Sequence, residues 1–279
     1  MDERSDFMSY ITYVESKDGT KLYTKVNRSE EHDSTIIIVH GLAEYAERYD
    51  EFVDELNMFG SNIVRFDHRG HGHSEGKDTY YGSYEEIIED VKAVVDYVKE
   101  NIGPKIYLIG HSMGGFAVTL YGTKYPGTVD GYITSGALTR YHTKLFEGAE
   151  SLGPEEYFPN EMGEGLCSKA SVVEEYKIDA LIKKHISGGL VHSLLEGVEY
   201  LKEHAKDFVD PIMILHGKND GAVSPEDSID LYREIGSEHK SLHIFPKFEH
   251  EIFHENTKFF TFSHLISSWI MELEHDEDE

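Results

Sequence analysis

Cysteine is nearly absent. Cys167 is the only one, so no internal disulfide framework can brace the chain, and one small apolar thiol fits a reducing compartment. Basic residues are also scarce: 26 Lys and Arg stand against 53 Asp and Glu, a formal charge of −27. A field of that sign repels phosphate backbones and anionic lipid headgroups, which argues against nucleic acid as a partner. No apolar run approaches the roughly 18 residues that a membrane helix needs, so stable membrane insertion is not expected. The start, MDERSDFMSYITYVES, is acidic and lacks the apolar core of a secretory signal. A soluble cytoplasmic protein is the default expectation. There is no internal repeat, and nothing specifies an oligomeric state. The one low-complexity element is the terminal HDEDE, read as a solvated end.

What is present suffices for a large core: 279 residues, 39% of them hydrophobic and 12% aromatic. Two short strands, Tyr10 to Glu15 and Lys21 to Val26, flank the turn signal Lys17-Asp18-Gly19 and predict a hairpin. Continuous apolar runs follow at Thr35 to Val39, Asn62 to Phe66, Lys105 to Ile109, Gly131 to Ser135 and Ile212 to Leu215. Such runs suit strands buried on both faces of a parallel sheet. Helical spacing fills the gaps at Tyr45 to Phe59, Tyr84 to Asn101 and Met113 to Tyr125, giving β-α-β-α alternation. The alternation breaks between 139 and 210. Gly and Pro punctuate the first half, helical patterns at Glu174 to His185 and Leu190 to Phe208 fill the second, and no strand is evident. This segment reads as a helical cap inserted between two parts of one α/β core, 1–138 and 211–279.

The strongest chemical signal is KIYLIGHSMGG, where Gly110, Ser112 and Gly114 form GxSxG between a buried strand and a helix. A serine hydroxyl is a weak nucleophile, so it must be presented on a strained turn within reach of a base. Glycines two residues to either side leave room for that turn. The acid and the base should then follow in that order. Asp220 lies in HGKNDGAV after the strand at Ile212, and His250 lies in PKFEHEIFHE after a strand at Leu242 to Phe245. Backbone N–H groups of Leu42, in IIIVHGLAE, and Met113 would form the oxyanion hole. His40, beside that turn, is expected to support the loop by hydrogen bonding.

Two patterns suggest metal instead. His68, His71 and His73 crowd FDHRGHGHSEG, but that loop also has the make-up of a tight turn braced by Asp67 and Arg69. HEIFH at 250–254 satisfies HExxH, which holds zinc only when both histidines sit one turn apart on a helix. The preceding strand and Pro246 put His250 in a loop. His250 is therefore assigned to the triad, with Glu251 and His254 expected to pack against or cap the last helix. No metal and no cofactor are expected.

Together IIIVHGLAEYAERYDEF, FDHRGHGHSEG, GHSMGG, HGKNDGAV and the late HEI resemble the monoglyceride lipase and lysophospholipase branch of the α/β-hydrolases, over Tyr10 to Met271. GLCSKASVVEEYKIDALI resembles its cap. The resemblance implies the α/β-hydrolase fold, Ser112, Asp220 and His250 as triad, Leu42 and Met113 as oxyanion donors, and a small ester as substrate. Phe146, Phe158, Leu181 and Ile182, with Leu145 and Ile186, are candidate acyl-chain contacts. Lys247 departs from the Gly that related sequences usually carry three residues before the histidine, and the stretch from Phe146 to Gly165 matches the family poorly. A serine aminopeptidase or amidase on the same fold, a non-catalytic binding protein and a zinc hydrolase are the rival readings.

Overall fold

The computed structural model describes residues 9–29, 34–255 and 262–276. β1 (Ser9–Glu15) and β2 (Lys21–Asn27) form an antiparallel hairpin. β3 (Thr35–Val39) leads through a 3-10 turn into α1 (Asp50–Asn57), then β4 (Asn62–Phe66), α2 (Tyr84–Asn101), β5 (Ile106–His111), α3 (Met113–Lys124) and β6 (Gly131–Ser135). The next segment holds β7 (Tyr157–Pro159), α4 (Ala170–Ile178), β8 (His185–Ser187) and α5 (Gly188–Glu203). β9 (Ile212–Gly217), α6 (Pro225–Glu234), β10 (Lys240–Phe245) and α7 (Phe262–Asp276) complete the chain.

Eight strands pair in the order β1-β2-β4-β3-β5-β6-β9-β10. From β4 to β10 all pairings are parallel, and β1 and β2 add an antiparallel edge. This is the mostly parallel, helix-flanked sheet of an α/β-hydrolase. Side chains alternate between faces along a strand, and here both faces are covered. Ile37, Val39, Val64 and Leu108 pack with the buried side of α2, of α3 and of α5. Ile36, Ile38, Ile63 and Ile109 pack on the other side with α1 and α7. α2 buries Ile87, Ile88, Val91, Val94, Val95 and Val98, the stripe expected of a surface helix. α3 is buried along its whole length from Met113 to Thr123, wedged between the sheet and its neighbours.

The segment between β6 and β9 corrects the sequence reading in two places. It does contain strands: β7 pairs antiparallel with β8. Each has only three residues and β7 ends at Pro159, too short for an alternating pattern to emerge. Moreover, α4 starts and stops earlier than Glu174 to His185. The Asp179 carboxylate accepts the Leu181 N–H at 2.8 Å, a local turn that competes with the next helical bond. The chain then bends toward β8, and Lys183 N donates to Ala43 O at 3.0 Å. Gly221 N to Gly165 O and Glu251 N to Leu166 O, 3.2 and 2.7 Å, tie the same segment to two more loops at the C-terminal ends of the strands. Crevices at those ends, where the order of an open α/β sheet switches direction, are where ligands bind.

Candidate active site

Ser112 is the hinge between β5 and α3. Its backbone sits at φ 53° and ψ −116°, a strained conformation for a residue with a side chain. The turn is held because Ser112 N donates to Ser135 O at 2.8 Å and Phe116 N returns to Ser112 O at 3.0 Å. A Cβ on Gly114 would lie 2.0 Å from Val39 O, and one on Gly110 would lie 2.3 Å from Gly114 O, so only glycine fits at either place. Met113 is the first residue of α3, and its N–H has no acceptor within the helix.

Asp220 and His250 meet beside it. His250 Nδ1 lies 2.7 Å from Asp220 Oδ2, so Nδ1 donates and the hydrogen-free Nε2 can accept a proton. Asp220 Oδ1 accepts the N–H groups of Ala222 and Val223, both at 2.8 Å. Burial alone would raise the Asp220 pKa, yet the His250 imidazole and the bonds from His216 and His250 hold it well below the usual carboxylate range. Burial works against a charged His250, but Asp220 outweighs it and lifts the imidazole above its ordinary value. His111 packs its ring 4.6 Å from that of His250, and burial, reinforced by His250, drives its own pKa down to about 3. Ser112, His111 and His250 line one narrow recess with Gly41, Leu42 and Glu44.

Sequence reasoning missed Gly136. At φ 55° it follows β6, and a Cβ there would sit 3.1 Å from both Asp220 Oδ2 and His250 Nδ1. The Asp220–His250 pair therefore rests on a bare Cα. The clue was a Gly directly after an apolar strand, in TSGA, which marks a close approach. Lys247 has no positive φ, and its loop is fixed by Asn219 N to Phe248 O at 2.9 Å, so a glycine is not needed there.

The loop after β3 turns at Ala43, φ 67°. His40 props it from behind: Nδ1 donates to Gly41 O at 2.8 Å, and Nε2 accepts His68 N at 2.9 Å. Glu44 Oε2 accepts Gly41 N and Tyr49 O–H, both at 2.8 Å. Arg48 bonds Glu44 at 3.2 Å and Glu251 at 2.7 Å. Burial would raise the Glu44 pKa, but Arg48 holds it well below normal.

The histidine-rich loop does not converge on a metal-sized point. His68 binds Tyr81 O–H at 2.9 Å and faces His40 O, whereas His73 packs on Tyr23. Asp67 braces the turn by accepting Ala46 N and His73 N, each at 2.7 Å. HEIFH does not form an α-helix either: His250 lies at a bend and Ile252–His254 form one 3-10 turn. His254 Nε2 donates to Arg48 O at 3.1 Å, and Glu251 pairs with Arg48. Those two residues thus brace the loop beyond β3.

A family model described as serine aminopeptidase, S33, matches residues 30–257. The chain belongs to that family. Within the α/β-hydrolases it falls in the monoglyceride-lipase-like branch. A monoacylglycerol lipase of Mycolicibacterium smegmatis is 28% identical over 246 residues, covering 85% of this chain and 87% of that protein. The crystal structure of Paleococcus ferrophilus monoacylglycerol lipase superposes with a TM-score of 0.80 at 26% identity, over 90% of this chain and 99% of that one. A soluble variant of the Saccharomyces cerevisiae monoglyceride lipase, in complex with a substrate analogue, shares the fold at a TM-score of 0.81 and 22% identity, over 98% and 97% of the two chains.

In this family member a cavity of about 540 Å³ opens above the recess, sharing Leu42, Met162 and Leu166 with it. Its size falls within the roughly 300–1,000 Å³ of small-molecule sites. Phe146 and Phe158 line it, with Leu145, Leu152 and Ile186. Leu181 and Ile182 do not. Ile182 is packed into the core, because the turn at Asp179 and the Lys183 to Ala43 bond direct this stretch toward the loop after β3.

Proposed function

We propose that the protein hydrolyses carboxylic esters with an apolar acyl chain, monoacylglycerols foremost, through an acyl-enzyme on Ser112. The observation that carries this reading is the 2.7 Å bond between Asp220 and His250 at a recess shared with the strained Ser112. Ser112 Oγ attacks the ester carbonyl as His250 Nε2 takes its proton; the N–H groups of Leu42 and Met113 stabilise the oxyanion. His250 returns the proton to the departing alcohol, and water, activated by the same imidazole, releases the acid. The cavity lined by Phe146 and Phe158 would take the acyl chain. Lipases among the relatives support an ester substrate, and the −27 charge favours a neutral one.

One observation favours a peptidase: Glu44 and Glu251 line the recess, as a site for a substrate ammonium would require. Both, however, are paired with the same Arg48, and Glu44 also accepts Gly41 N and Tyr49 O–H. Carboxylates so engaged support the ester reading over the amide one. The test is a panel of monoacylglycerols, lysophospholipids, aryl esters and aminoacyl amides, run with wild type and Ser112→Ala. Neutral esters should be cleaved best. Ser112→Ala should keep its circular dichroism and lose roughly 10⁴ to 10⁶-fold in kcat. Turnover of lysophospholipids or amides alone, or an active Ser112→Ala, would sink the proposal.

A further inference from the structure

His216, in β9, is buried and takes no part in the steps above. Its Nε2 lies 2.9 Å from Asp220 Oδ2 and 3.0 Å from Val223 O. Both neighbours are acceptors, so Nε2 carries the hydrogen. Nδ1 lies 2.7 Å from Ser228 Oγ, whose hydroxyl donates to it and keeps that tautomer in place. Two imidazoles therefore approach one carboxylate oxygen: His250 Nδ1 binds Oδ2, and His216 Nε2–H, which Val223 O accepts, lies beside it at 2.9 Å.

Ser228 in turn is held in position. It belongs to α6, and the adjacent Asp227 accepts four consecutive N–H groups, from Thr139, Arg140, Tyr141 and His142, at 2.7 to 3.1 Å. These lie where the chain leaves the sheet after β6. The hydroxyl that sets the His216 tautomer is thereby fixed to the frame and not to a mobile surface.

We propose that His216 is a positioning residue for the triad acid: the positive edge of its Nε2–H, anchored on Val223 O, stays against Asp220 Oδ2 throughout turnover and limits how strongly that oxygen holds His250. This rests on the acyl-transfer reading, in which the imidazole must turn between Ser112 and the leaving group. During that turn the His250 bond loosens. A buried carboxylate oxygen left without a donor is costly, and His216 keeps an N–H edge beside it that does not move. The second effect is competition. The N–H edge of His216 against Oδ2 offsets part of its charge, so less is available to stabilise the protonated His250. The other ionisable groups facing His250 are Glu251, Glu44 and His111, and Glu249 faces Asp220; none is altered by changing His216 or Ser228.

The test is kcat and KM for a soluble short-chain aryl ester across about pH 5 to 9, where the limb of the free enzyme's base appears, using wild type, His216→Phe, His216→Gln and Ser228→Ala. His216→Phe should lower kcat by about 10 to 100-fold, the usual range when a group behind the reacting residues is removed, leave KM unchanged, and move the acid limb of kcat/KM to higher pH. His216→Gln can offer an amide N–H near the same place and should recover most of kcat and return the limb. Ser228→Ala should show the same changes in smaller measure. A folded His216→Phe with the wild-type kcat and limb overturns the proposal, as does a folded His216→Gln as impaired as the Phe variant. Should His216→Phe fail to fold, Ser228→Ala decides alone, and a wild-type profile there overturns it. Failure of the underlying triad reading is a separate event: Ser112→Ala would then retain turnover.

Discussion

Around Ser112 every residue of α3 from Met113 to Thr123 is buried, and two glycines within two residues of the serine leave the backbone one way to turn. In the segment between β6 and β9 the strands are three residues long, and Tyr157 and Ile178 stand 41% and 78% exposed. The elbow is marked by a handful of neighbours in sequence, Gly110, Ser112 and Gly114. The inserted segment is held by bonds to partners far away along the chain. The elbow thus has a signature that can be read locally even though Ser135 O and Val39 O hold it from afar, whereas the segment between β6 and β9 has no such signature.

Asp220→Asn breaks the rigid side of that contrast most severely. The amide would favour the wrong imidazole tautomer, and kcat should fall by about 10⁴-fold with folding preserved. Because the Asp220 charge raises the His250 pKa, wild type should lose kcat/KM as pH falls through a value above the ordinary histidine figure of about 6.5. Any residual activity of Asp220→Asn should show that limb at lower pH, and a pH titration of both proteins checks the sign. Gly136→Ala comes next. A methyl 3.1 Å from both Asp220 Oδ2 and His250 Nδ1, at positive φ, should shift the pair and cost on the order of 10²-fold in kcat. Equal rates for Ala and Gly would mean that the pair does not depend on this surface. Phe158→Ala probes the other region and should act more gently. A lost apolar contact is worth about 1–3 kcal/mol in discrimination, or 10 to 200-fold in kcat/KM, for long acyl chains. Acetyl esters should be scarcely affected, so a uniform loss across chain lengths would place Phe158 in the folding of the segment and not in chain recognition.

The sheet was legible because strands buried on both faces leave unbroken apolar runs, and Thr35 to Val39, Asn62 to Phe66 and Gly131 to Ser135 coincide with β3, β4 and β6. Order along the chain brought Ser112, Asp220 and His250 into consideration, and the fold gathers all three. Gly136 escaped notice because its reason is a contact between β6 and two loops more than 80 residues later. β7 and β8 escaped because three residues carry no period. The end of α4 was misjudged because Asp179 turns the chain through one side-chain bond that periodicity cannot register. Leu181 and Ile182, expected at the acyl chain as apolar residues of the cap, do not line the cavity.

Three main-chain bonds, at Ala43, Gly221 and Glu251, join the inserted segment to the loops bearing Leu42, Asp220 and His250. On the proposed mechanism, occupancy of the cavity and of the oxyanion donors Leu42 and Met113 would therefore be linked. Whatever free energy a ligand in one contributes to keeping those bonds made, a ligand in the other must feel in equal measure. A long acyl chain would then do more than adhere to the wall it touches: it would sharpen the grip on its own carbonyl.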